Sequence, residues 1–84
     1  MDVRIAPEAQ REFDRLPTLI KVRVLKIMER LTKWPDVSGA KPLRGTLTGQ
    51  HRIRTGDYRV QFRAEKDRVV IVKVGHREGF YDET

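Results

Sequence analysis

The chain has 84 residues, enough for one small domain (residues 1–84) around one modest core. Hydrophobic residues make up 38% and charged residues 36%, a globular balance that excludes a disordered chain, and the net charge of +6 points to a polyanionic partner. Cysteine is absent, which excludes a disulfide scaffold and a thiolate site and fits a reducing cytoplasm.

Val3 and Ile5 alternate with Asp2 and Arg4, as in a short first strand. No basic segment followed by an apolar one opens the chain, so no secretion signal is expected. Pro7 suits the first turn of a helix, with Glu8 near its positive end. Ala9, Phe13 and Leu16 fall at helical spacing, and Leu16-Pro17 ends that helix. Thr18 is the expected N-cap of a longer second helix. Its apolar stripe is Ile20, Val24, Ile27, Met28 and Leu31, while Lys21, Arg23, Lys26 and Arg30 look outward. Trp34-Pro35 closes the helix, with Trp34 as a lid on the core, and residues 36–39 form a loop.

Lys41-Pro42-Leu43-Arg44-Gly45 then leads into residues 50–63, QHRIRTGDYRVQFR, which read as a hairpin turning at Gly56-Asp57. A two-residue turn pairs Thr55 with Tyr58, Ile53 with Val60 and His51 with Phe62, giving an apolar face that claims His51 for the core. The other face sets Arg54 against Arg59 and Arg52 against Gln61. Like charges directly opposite each other repel, so a hairpin shaped by stability alone would not stack arginines there. An anion between them supplies the reason. Between positions 41 and 63 six cations (Lys41, Arg44, Arg52, Arg54, Arg59 and Arg63) meet one acid, Asp57.

Residues 65–67 make the next turn, and residues 69–75 form a strand apolar on both sides, as in the middle of a covered sheet. Its aliphatic run is far too short to span a bilayer, and no membrane partner is expected. A three-residue turn places Val70, Val72 and Val74 opposite Phe62, Val60 and Tyr58, facing the helices. Lys73 and Arg77 then join Arg54 and Arg59; a two-residue turn reverses this. A short tail carries His76, Arg77, Phe80 and Tyr81. The expected fold is α+β: a small antiparallel sheet with an N-terminal helical hairpin on one face, in the order β-α-α-β-β-β.

Several cations on an open sheet face make a phosphate site whose binding is steep in salt. Base contacts would fall to Tyr81, Phe80, Gln50 and Gln61. No cluster of His, Asp and Glu has ligand spacing, so neither a metal nor another cofactor is expected. Such a site suits RNA cleavage by the substrate's own 2′-hydroxyl, which needs a base, positive charge at the phosphorane and an acid. Arg54, Arg59 and Arg77 are the candidates for charge, and Tyr81 and His76 for proton transfer, since arginine keeps its proton. The bland alternatives are a solvating His76, a packing Tyr81 and a merely solvated Arg52.

On these segments the chain resembles the RelE-type toxins of the RelE/ParE toxin–antitoxin superfamily. The resemblance runs through Leu16-Pro17, residues 41–45, residues 51–60, residues 74–77 and Tyr81. It implies a cytoplasmic, ribosome-dependent endoribonuclease that cuts messenger RNA in the decoding site. It also implies a cognate antitoxin that covers the basic face and supplies operator DNA binding. By position the resemblance places Arg52, Arg54, Arg59, Arg77 and Tyr81 in the site. The catalytic candidates are then Arg54, Arg59, Arg77 and Tyr81, and the candidates for holding RNA are Arg52, Lys41, Arg44, Arg63, Lys73 and His76. The best-known member has lysines where this chain has Arg52 and Arg54, so the base passes to Tyr81 or His76. Two other readings are a ParE-like inhibitor of DNA gyrase without nuclease activity and a basic nucleic-acid-binding domain without chemistry.

Overall fold

A computed structural model describes residues 1–80, so Tyr81 lies outside the described residues. Proline sets both helix starts. Pro7 occupies the first turn of α1 (Pro7–Asp14), where its missing N–H leaves no bond unmade, and Glu8 follows at the positive end. Pro17, with an extended ψ of 147°, is the residue from which α2 (Thr18–Leu31) starts. Thr18 is therefore the first helical residue and not the N-cap, and α2 begins without a side-chain cap bond. α1 also ends sooner than expected, at Asp14, with Arg15 as its C-cap.

The strands are β1 (Asp2–Ile5), β2 (Lys41–Pro42), β3 (Gln50–Thr55), β4 (Tyr58–Ala64) and β5 (Arg68–His76), with a 3-10 turn at Gly45–Leu47 between β2 and β3. Their order across the sheet is β1-β5-β4-β3-β2. The expected sheet was wholly antiparallel. In fact β1 runs parallel to β5, and the two residues of β2 add an edge strand beside β3. β5 is flanked by β1 and β4, which is why its sequence reads as nearly continuous aliphatic. Ala9 of α1 and Ile20, Val24, Ile27 and Leu31 of α2 close the core over Ile53, Val60, Phe62, Val69, Ile71 and Val74. No helix among the described residues is long and apolar enough to cross a membrane.

The hairpin register is the expected one, with Thr55 opposite Tyr58, Ile53 opposite Val60 and His51 opposite Phe62. Gly56 has φ +59°, and no described non-glycine residue has positive φ, so the glycine takes the one left-handed place in the turn. The register of β5 differs from the expectation. Glu65 N–H donates to the Arg68 carbonyl at 2.8 Å, so the turn holds two residues and Ala64 faces Val69. Phe62 then faces Ile71, whereas Gln61 faces Lys73, and Val72 is the extra residue of a β-bulge. The residues buried against the helices are thus Val69, Ile71 and Val74; Val70 and Val72 are only half-buried.

Past Ile71, β5 has outrun its parallel neighbour β1. Glu12 of α1 fills the gap, its Oε1 accepting the Val74 N–H at 2.9 Å. This carboxylate stands in for a missing strand just before the residues that carry His76 and Arg77. Replacing Glu12 with Ala leaves a partly buried N–H without its acceptor, at about 1–3 kcal/mol. Urea denaturation is expected to show that loss in Glu12→Ala, and most of the stability back in Glu12→Gln, whose amide oxygen still accepts.

Candidate nucleic-acid interface

The strand register assigns the predicted side chains of β2 to β5 to their faces. Arg54 lies opposite Arg59, and Arg59 opposite Gly75. In the next row Lys41, Arg52, Gln61 and Lys73 follow one another across β2, β3, β4 and β5. Arg63 pairs with Gln50 in the row beyond. Residues directly opposite share a face, so Lys41, Arg52, Arg54, Arg59, Arg63 and Lys73 all rise from the side away from the helices. Arg52 and Arg54 are about 7 Å apart along β3, and Arg54 and Arg59 about 5 Å apart across the ladder. These are backbone spacings, and side chains as long as arginine that rise from them on one face can reach a common phosphate. The bulge is what brings Lys73 to this face: an unbroken ladder from the two-residue turn would have set it against Val60, in the core.

The cations differ in what else they touch. Among the described residues no carboxylate pairs with Arg52 or Arg54, and Arg52 Nε is buried without a hydrogen-bond partner there. Arg63 is committed to Glu65, with Nε 2.8 Å from Oε2. Lys73 donates to the Phe80 carbonyl and sits 4.6 Å from the centre of the Phe80 ring. Arg44, at the start of the 3-10 turn, is exposed and lies outside the strand ladder. Arg77, just past β5, donates its backbone N–H to the Asp57 carbonyl at 2.7 Å, and its Nε is 3.7 Å from Asp57 Oδ1. Both side chains are more than half exposed, so the ion pair is screened and worth ~0–1 kcal/mol. It keeps Arg77 beside the hairpin turn.

Three expectations change. His76 pairs with Tyr58 in the row beyond Val60 and Val74, which puts its ring toward the helix layer and away from Arg54 and Arg59. There it meets Tyr58 edge-on at 5.2 Å, and its Nδ1 accepts the Glu78 N–H at 3.1 Å. Phe80 is 2% exposed, with its ring 3.5 Å from where a Cβ would stand on Gly75, so it covers the sheet and cannot stack on a base. Gln61 is 5% exposed and donates to Gln50 Oε1 at 2.5 Å, which takes it out of base reading as well. Asp57 is an anchor for Arg77 that the sequence pattern does not single out. Its place in a Gly-Asp turn was the available signal, but contact with the chain terminus is a tertiary fact.

His51 and Trp34 behave as expected. Their rings meet edge-on at 4.7 Å, and His51 stacks on Phe62 at 5.5 Å. Burial lowers the His51 pKa below its ordinary 6.5, because the apolar surroundings disfavour the imidazolium. Above pH 6.5 the ring is neutral in both the folded and unfolded states, and the shift costs nothing. As the pH falls through 6.5, the unfolded chain gains a proton that the folded one resists, and stability declines until the folded pKa is reached. Urea midpoints measured from pH 7.5 down to 5 are expected to fall in the wild type. In His51→Phe that decline should be distinctly shallower; parallel curves would assign it to another group.

Residues 3–81 match the family model described as the ParE toxin of type II toxin–antitoxin systems. Over 94% of its length the chain is 32% identical to Toxin RelG of Mycobacterium tuberculosis, covering 93% of that protein. It is 35% identical to Toxin RelE of the same organism, with 84% of that protein covered. Among solved structures, the RelBE2 toxin–antitoxin complex of Mycobacterium tuberculosis matches with a TM-score of 0.80 and 34% identity, over 90% of this chain and 96% of that one. The isolated RelE toxin of Escherichia coli matches with a TM-score of 0.76 over 98% of this chain and 92% of that one; at 20% identity it supports the fold alone. The chain therefore belongs to the ParE toxin family of type II toxin–antitoxin systems. Within that family it is a RelE-type toxin, as its mycobacterial relatives are.

Proposed function

We propose that this toxin is a ribosome-dependent endoribonuclease that cuts messenger RNA in the decoding site. The observation that carries the reading is the cross-strand pair Arg54 and Arg59, with Arg52 beside it, on the sheet face away from the helices. Stacking like charges there works against folding, and a crowded phosphate between strands is what such a cluster stabilises. In the reaction the 2′-hydroxyl loses its proton and attacks the adjacent phosphorus. The bond to the 5′-oxygen breaks, and that oxygen takes a proton, leaving a 2′,3′-cyclic phosphate and a 5′-hydroxyl.

Arg54, Arg59 and Arg77 hold the charge of the phosphorane in this scheme, with Arg77 leaving its weak contact with Asp57 to do so. Arg52, Lys41 and Arg44 hold flanking phosphates; Lys73 and Arg63, already engaged within the chain, contribute field more than contact. Arginine keeps its proton, so proton transfer falls to groups other than the guanidiniums. Since His76 faces the helix layer, Tyr81 is the candidate the chain itself offers, on sequence grounds. So sparse an acid–base set fits a toxin that acts on RNA shaped by the ribosome and leaves free RNA largely uncut. The partner that restrains it is a cognate antitoxin, as in the mycobacterial complex, and operator DNA is bound through that antitoxin.

The test is to add the protein to ribosomes stalled on a defined messenger and map new 5′ ends. Cleavage is expected in the wild type, with a loss on the order of 10² in Arg54→Ala, Arg77→Ala and Tyr81→Phe. Antitoxin binding should stay nearly intact. Undiminished cleavage in the Arg54→Ala/Arg77→Ala double variant would reject the site. A ParE-like inhibitor of DNA gyrase without nuclease activity is the second reading; gyrase-trapped DNA breaks with an intact messenger would establish it in place of the first.

A further inference from the structure

The outer face of α2 takes no part in the fold or in the basic site. Leu19, Val22 and Leu25 are 62%, 43% and 53% exposed, although they are large aliphatic residues in the middle of an ordered helix. At 100° per residue they span about 120° of the helix surface, centred on Val22 and opposite the buried stripe of Ile20, Val24, Ile27 and Leu31. Three exposed aliphatic side chains on one face mark an interaction surface where single ones would not.

We propose that this face binds a second copy of the chain, with the two α2 helices antiparallel about Val22. A two-fold interface must complement itself, and this one does. With Val22 on the axis, residues equally far from it on either side meet: Leu19 faces Leu25 of the second copy, Thr18 faces Lys26, and Val22 faces Val22. The charges agree. α2 begins at Pro17 with no side-chain cap bond and no acidic residue in its first turn. Its first N–H groups and their positive dipole end are therefore uncompensated within the helix. Glu29 lies about 10 Å from Val22 along the axis. In an antiparallel pair it arrives just beyond the N-terminus of the opposite α2, beside those N–H groups and the exposed Arg15. Lys26 and Glu29 leave the face itself neutral, although the chain carries +6. A second copy brings its own Glu29 to the cationic end of the face, and so supplies the complement that the face needs. Repulsion between two chains of +6 opposes the pairing, so the dimer should strengthen as salt is raised.

The chain has no cysteine, so one introduced thiol is an unambiguous probe. Sedimentation equilibrium of the isolated toxin is expected to show a mass that rises from monomer to dimer with concentration and with salt. Under mild oxidation Val22→Cys, whose thiol would lie on the axis, should cross-link at least about tenfold faster than Lys66→Cys in the exposed β4–β5 turn, because pairing raises the effective thiol concentration. Val22→Glu, at an exposed position, should match the wild-type melting curve at dilutions where the wild type is monomeric, yet stay monomeric at concentrations where the wild type pairs, and Glu29→Lys should weaken the dimer. A wild type that remains monomeric throughout, with equal cross-linking at the two cysteines, overturns the proposal. So does a dimer that survives Val22→Glu. Protection of Val22→Cys from maleimide only after antitoxin is added gives the face to the antitoxin and overturns it too.

Discussion

One extra residue in β5 decides what that strand adds to the basic face. The two-residue turn between β4 and β5 fixes the ladder at Ala64 and Val69, and strand alternation then dictates where every later side chain points. Without the bulge at Val72, Lys73 would be aimed at the core beneath α2, and Val74 at solvent. Burying an unpaired lysine costs far more than one unmade ladder bond. The bulge resolves the conflict in favour of Val74, which ends 2% exposed. It also returns the end of the strand to a register in which Gly75 faces Arg59 and the chain emerges at Arg77 beside the hairpin turn.

The energetics let such a face persist. Like-charged neighbours across strands each cost about 0.2–1 kcal/mol. On the opposite face Phe62, Ile71 and Val60 are wholly buried, and each contributes about 1.5–3 kcal/mol. The sheet therefore tolerates several repulsive pairs because its other side is sealed by two helices. Part of the repulsion is also relieved locally, through Glu65 on Arg63 and the Phe80 carbonyl on Lys73. Arg52 and Arg54 have no such carboxylate among the described residues. That contrast separates the cations that hold the sheet end together from those left to meet a ligand.

The helical layer has a second role in the geometry of the site. Glu12 reaches from α1 to the Val74 N–H at the point where β1 stops, so the part of β5 that delivers Arg77 is held by a helix and not by a strand. On the far side of the same layer, α2 shows Leu19, Val22 and Leu25 to solvent. One helical hairpin thus covers the core, steadies the strand that leads to the site, and presents a face of its own.

Local pattern was enough for the two helices, for β1 and β3 to β5, for the hairpin register and for the common face of Arg52, Arg54 and Arg59. Each follows from alternation with period two, helical spacing, or a glycine turn, and each is settled within about ten residues. The place of half-buried His51 on the core side followed from the same alternation. Other features were settled only by tertiary packing. The bulge at Val72, the parallel pairing of β1 with β5, the place of His76 on the helix side and the burial of Phe80 over Gly75 were among them. So were the contacts of Arg77 with Asp57 and of Glu12 with Val74. All of these depend on competition between distant segments for the same buried space or the same unpaired N–H, and no local pattern records which of them wins.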